Sequence, residues 1–282
     1  MHTDTKWAHK IISLQDDEGK WGCFHSLSQS SNIPMTTEQA LRRLKNLGFT
    51  IEDTCIQKAV GYMSDCLEHR KEIPDRKEKI QDWEIFSDLM LATWIRVFVD
   101  DHAVANRVAR QWAEVITAGF ENGTFDYNKY VDTYAKAIRL PPKGARILGC
   151  TSFYPVSLVA GCLEPKTENA YIEHIINNDN GIYYIYDQKI SILPEEFQSK
   201  KASRFLAAIE LLSEYKVSKK QLLYVVQWLQ QNRNAHGKWD MGSVVNDHIY
   251  FPLSDHWRKA ETREADCTRR ISRILDKIAG AD

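Results

Sequence analysis

The chain has 282 residues, 43% of them hydrophobic and 27% charged, with a formal net charge of −1. That balance describes a folded chain with ample core rather than a disordered one, and the lack of a basic excess argues against nucleic acid as a partner. Six scattered cysteines form no Cys-x-x-Cys pair, which points to neither a zinc ribbon nor a disulfide scaffold and fits a reducing, cytoplasmic setting.

In chain order, Met1 to Gln15 carries Asp4, Lys6, His9 and Lys10 and so lacks the apolar core of a signal peptide. Thr36 and Gln39 form a capping box in front of Ala40, Leu41, Leu44 and Leu47, and Gly48 is a natural stop, so a helix is predicted there. Asp53 opens the next, with Ile56, Ala59, Val60, Met63 and Leu67 on one face, and the two make a hairpin. The same periodicity predicts helices over 83–98, 103–119, 128–138, 154–162 and 167–177. Pro194 is expected to open a helix running to about Tyr215. Ser218 and Gln221 read as a second capping box, and a last helix is expected over 255–278. Residues 181–192 read as a short hairpin or an extended loop. The longest apolar run, 89–99, is broken by Arg96 and falls short of the ~18 residues of a membrane span. No Gly-, Ser- or Pro-rich linker divides the chain, so 1–282 is expected to be one domain.

Helix ends repeat a Gly-x-aromatic signature at Gly19/Trp21, Gly123/Phe125, Gly181/Tyr183 and Gly237/Trp239. The aromatic positions lie 104, 58 and 56 residues apart, and the first gap is close to twice the others. A degenerate copy is therefore expected within 68–79, giving a repeat of about 55 residues, two helices and their turns. A glycine at positive φ ends each helix, and the aromatic two residues on would fold back as a clasp.

Gln15 to Trp21 fits the Gln-x-x-x-Gly-x-Trp core of the QW repeat, and the segment ending at Trp239 is similar with a longer loop. On these residues the chain resembles the squalene and terpene cyclase and protein prenyltransferase β-subunit superfamily. The resemblance implies an all-α fold, an α/α toroid of about five helical hairpins; the terminal helices could complete one hairpin together and close the ring, the alternative being an open solenoid. It also implies a central cavity for a hydrophobic or isoprenoid-like small molecule. Two departures limit the analogy. The Asp-x-Asp-Asp acid motif is absent, and Asp266 and Cys267, being adjacent on a helix, do not reproduce the zinc set of the prenyltransferases. No cofactor or metal is indicated by motif, and the oligomeric state is open.

Four clusters bear chemistry. Cys23, His25, Cys66 and His69 would suit a metal if folding united them, although buried cysteines and surface histidines explain them as well. Glu84 and Asp88, one helical turn apart, could act as acid and base, or serve only the helix dipole. Asp100, Asp101 and His102 read as an N-cap. The richest segment is 246–258, which suggests Asp247 and His248 as catalytic groups and Tyr250, Asp255, His256, Trp257 and Arg258 as substrate-binding ones. Its structural alternative is a loop that caps the last helix through Ser254 or Asp255 and packs Trp257. The functional alternatives are a non-catalytic helical-repeat protein-interaction domain and an incomplete toroid acting on a polysaccharide, for which Tyr183, Tyr184 and Tyr186 would supply the aromatic groove.

Overall fold

A computed structural model describes residues 2–25, 28, 34–77 and 79–280, apart from the Ser218 side chain. Among them are twelve α-helices and no β-strand: α1 (Lys6–Ile12), α2 (Thr37–Leu47), α3 (Thr54–Leu67), α4 (Trp83–Phe98), α5 (Ala103–Gly119), α6 (Tyr127–Ala137), α7 (Phe153–Leu158), α8 (Pro165–Asn177), α9 (Lys200–Leu212), α10 (Ser218–Gln221), α11 (Leu223–Gln231) and α12 (Ala260–Ala279). The protein is all-helical. The chain divides into two compact units, Met1–Gln111 with Ile138–Leu148 and Trp112–Ala137 with Gly149–Asp282, the division falling inside α5.

In the first unit α3 packs along α4, burying Ile56, Ala59 and Met63 against a helix whose Leu89, Met90, Trp94 and Ile95 are also buried. The expected capping box is present: Thr36 Oγ1 accepts from Gln39 N, Gln39 Oε1 accepts from Thr36 N, and Gly48 ends α2 at φ +99°. At α5 the capping is done by one member of the 100–102 triplet, His102, whose Nδ1 accepts from Ala105 N at 3.2 Å.

The clasps divide into two kinds. Trp21 is 1% exposed; its Nε1 donates to Ile11 O at 2.7 Å and its backbone N to Thr37 Oγ1 at 2.9 Å. Gln15 spans this turn, its Nε2 donating to Gly19 O at 2.9 Å and to Cys55 O at 2.8 Å. In the second unit Trp239 is 2% exposed and repeats the arrangement, with Nε1 donating to Leu229 O at 2.6 Å and N to Thr268 Oγ1 at 3.1 Å. Phe125 is half-buried and packs on Phe120 and His174 without a polar anchor. Tyr183 is no clasp. It is 60% exposed, and the buried residues of its turn are Ile182, Ile185 and Tyr186. In 68–79, of which Glu78 lies outside the described residues, the fold is secured by Asp75, which accepts from the backbone N of Phe24 and His25.

Several expected boundaries move. Pro194 opens no helix; α9 begins at Lys200, where Ser199 caps by accepting from Ala202 N at 3.0 Å. Neither Ser254 nor Asp255 caps the last helix, which starts only at Ala260 behind Lys259. The Ser218 half of the second capping box lies outside the described side chains. Residues 181–192 form an extended loop with isolated bridges Ser152 to Tyr183 and Ile182 to Tyr186, so the hairpin alternative falls.

Candidate functional site

The segment 246–258 is a folded loop of the second unit, organised around two charged residues of α12. Asp266, 1% exposed, accepts from Leu253 N at 3.1 Å, Ser254 N at 2.8 Å and Ser254 Oγ at 2.6 Å. Arg270, also buried, pairs with Glu210 at 2.8 Å and donates to Ser203 Oγ and O. Its guanidinium lies 4.7 Å from the Tyr250 ring centre and 5.1 Å from that of Phe251. A buried charge needs partners to replace its lost hydration; Arg270 has an ion pair and hydrogen bonds, and Asp266 has three hydrogen bonds from the loop.

The loop residues divide accordingly. Asp247 Oδ1 accepts from Ile249 N, Tyr250 N and Phe251 N, which makes it the turn's own cap. Tyr250 and Trp257 are buried, the latter stacked on Phe251 at 4.9 Å. His248, His256 and Arg258 are exposed and Asp255 half-exposed. The loop thus has an inward set that holds it together and an outward set on its surface.

Glu84 and Asp88 lie in the first unit, in the opening turns of α4. Asp82 caps this helix, accepting from Glu84 N and Ile85 N, and takes a two-nitrogen contact from Arg139, which also reaches Glu84 at 2.9 Å. Arg139 thereby engages Asp82 and Glu84 and leaves Asp88 aside. Asp88 is half-buried, with neither a hydrogen-bond nor an ion-pair partner among the described residues. Burial pushes its carboxyl up to about 6, with the Glu84 charge adding to the shift and His69 and Arg139 opposing it.

Asp88 lines a pocket of about 200 Å³ together with Cys66, His69, Trp83, Glu84 and Leu91. Sequence pattern paired Cys66 and His69 with Cys23 and His25 as a metal set. His25 instead sits 3.7 Å from Glu38 and edge-on to Phe86. Among the described residues no group of three or more His, Cys, Asp or Glu side chains is placed to hold a metal ion. His69 reaches the pocket from the residue pair that ends α3, where its φ of +57° turns the chain. A left-handed histidine is uncommon and gives no periodicity signal, so sequence reasoning did not link it to Asp88.

The pocket adjoins a second, wider groove of about 600 Å³, the two sharing Lys77, Trp83 and Glu84. Lys79, Arg139 and Lys143 complete its cationic lining. None of these lysines stood out in the sequence, because 77–79 and 143 are separated by more than sixty residues. The backbone bond from Arg146 N to Ile80 O, 2.7 Å, brings the two segments together.

Among the described residues no helix is long and apolar enough to cross a membrane. No protein-family model matches the chain, and neither a curated protein nor a solved structure matches it at a meaningful level.

Proposed function

We propose that the protein is a QW-like helical-repeat protein, related in construction to the cyclase and prenyltransferase group, that binds a small molecule in the first-unit pocket and exchanges a proton with it through Asp88. The observation that carries this reading is the half-buried, unpartnered Asp88 carboxyl with its affinity for protons raised to about 6. Such a group is divided between acid and carboxylate near neutral pH, the condition for efficient general acid or base work. Glu84 raises that proton affinity from one turn away, and Trp83 supplies an apolar wall. At about 200 Å³ the pocket accepts a ring or a short chain, below the roughly 300–1,000 Å³ of sites for larger ligands.

The test is a thermal-shift screen of small ring compounds and short isoprenoid alcohols at pH 5 and pH 7.5, on wild type and Asp88→Asn. Ligands of this pocket should stabilise the wild type in a pH-dependent way that the variant loses. Hits indifferent to pH and to the substitution would overturn the reading.

A protein-interaction role is the second reading, supported by the outer face of the 246–258 loop region. There Val244 is 58% and Ile249 38% exposed beside His248. It predicts that a partner is lost on Ile249→Asp with the unfolding midpoint unchanged.

A further inference from the structure

Three lysines of the groove beside the Asp88 pocket, Lys77, Lys79 and Lys143, are exposed and make no ion pair among the described residues. The groove's two acids, Asp82 and Glu84, are both engaged by Arg139. Among the described residues the lining therefore sets four cationic groups, Lys77, Lys79, Lys143 and Arg139, against two carboxylates, a net of two positive charges, in a chain whose net charge is −1. An uncompensated cationic concavity raises the local concentration of anions and selects those with more than one charge. Lys143 projects from the turn 142–145, closed by Ala145 N donating to Pro142 O at 3.0 Å, and this turn is tied to the Lys79 segment by the Arg146 to Ile80 bond. Two chain segments are thus fixed to each other with their ammonium groups around one concavity.

Trp83 lines both the groove and the Asp88 pocket. It is half-buried, so part of its indole remains accessible. A ligand spanning the two would set an anionic group among the lysines, pass a flat ring over Trp83, and turn the ring's edge toward Asp88. A carboxyl that exists in both protonation states can donate to a ring nitrogen or accept from an amino group.

We infer that the joined groove and pocket form a binding site for a phosphate carried on a heteroaromatic ring, that is, a mononucleotide-class ligand, with Lys77, Lys79 and Lys143 on the phosphate and Trp83 against the ring. The inference rests on the proposed role of the Asp88 pocket for the ring edge only; the phosphate contacts stand apart from it.

The experiment is calorimetric titration of the full chain with adenosine and uridine 5′-monophosphates, the matching nucleosides, pyrophosphate, and a single-stranded oligonucleotide of eight residues. A monophosphate should bind at least tenfold more tightly than its nucleoside, and Lys143→Gln and Lys77→Gln should each remove most of that advantage. Trp83→Leu should weaken the monophosphate but not pyrophosphate. Circular dichroism of each variant shows that the fold is kept, and the lysine variants, being at exposed positions, change only charge. Equal weakness of all probes at millimolar concentration, lysine variants that bind like wild type, or tighter binding of the oligonucleotide than of any monophosphate would each overturn the inference. Asp88→Asn separates the two claims. Monophosphate binding that keeps its lysine dependence while losing no pH dependence in this variant supports the phosphate site and removes the acid role of Asp88.

Discussion

Trp21 and Trp239 make the same hydrogen bond ten residues back along their own chain, to Ile11 O and Leu229 O at 2.7 and 2.6 Å. The likeness extends through each turn. Asp16 Oδ1 accepts from Lys20 N at 3.1 Å, and Asn234 Oδ1 from Lys238 N at 3.0 Å. Gly19 N donates to Asp16 O and Gly237 N to Asn234 O, so an offset of 218 residues superposes one turn's bonding on the other's. The residue before the turn plays a different part in each: Gln15 reaches across to α3, whereas Arg233 lies over the Trp239 ring at 4.6 Å.

Replacing either indole by alanine should cost about 3–5 kcal/mol, the range for truncating a large buried aromatic. Trp→Phe at each site keeps most of the apolar burial and removes only the indole donor, since Leu14 N and Asn232 N still reach the Ile11 and Leu229 carbonyls, a loss of roughly 0.5–1.5 kcal/mol. Urea unfolding of the four variants checks both figures. A tryptophan that tolerates alanine with no change in midpoint is not a clasp.

The two turn glycines should respond unequally. Both have positive φ, +97° at Gly19 and +72° at Gly237, so alanine costs about 1–2 kcal/mol at either from conformation alone. At Gly19 the added Cβ would also stand 2.5 Å from Lys58 O, backbone that cannot swing aside, whereas nothing lies within 4 Å at Gly237. Gly19→Ala should therefore lower the melting midpoint distinctly more than Gly237→Ala. Equal effects would mean that α3 does not pack on the first turn as described.

The contrast shows what periodicity can and cannot carry. Local chemistry set α2 and α4 almost to the residue, because a capping box and an aspartate cap act within four positions. Pro194 misled because its fixed φ suits a turn as well as a first helical residue, and Ser199 had the stronger cap. In the 246–258 segment, concentrated polar chemistry proved partly internal, since Asp247 caps its own turn and Tyr250 serves Arg270 from α12. Such long-range pairing leaves no local pattern. The same holds for Lys143 beside Lys77 and for His69 beside Asp88.

Within that loop the inward and outward residues should separate cleanly. Arg270→Ala leaves the buried Ser203 hydroxyl and the partly exposed Glu210 carboxylate without their partner and should cost about 1–3 kcal/mol, and Trp257→Ala about 3–5 kcal/mol. His248→Ala and Arg258→Ala, at exposed positions, should stay within about 0.5 kcal/mol of wild type. A ligand or partner lost in these last two with stability intact would restore the loop as a site.

Asp88 gives the pH signature. Its proton affinity is raised in the folded chain to about 6, against an ordinary carboxyl near 3.8. The folded state therefore holds a proton that the unfolded state has released between those two values. The stability associated with that proton is complete below about pH 4 and is lost as pH rises through 6, so at neutral pH the carboxylate in its half-buried pocket is a liability. Asn at this position keeps the shape without the charge. Asp88→Asn should then be more stable than wild type at pH 7.5, equal to it near pH 4, and flatter across the interval, other titrating groups being common to both. Chemical unfolding at pH 4, 5, 6 and 7.5 measures the difference directly. Parallel curves for the two proteins would place the Asp88 carboxyl in ordinary solvent and remove the basis for assigning it a proton-transfer role; a difference that opens between pH 4 and 6 and then holds constant is what a pocketed, unpartnered carboxyl requires.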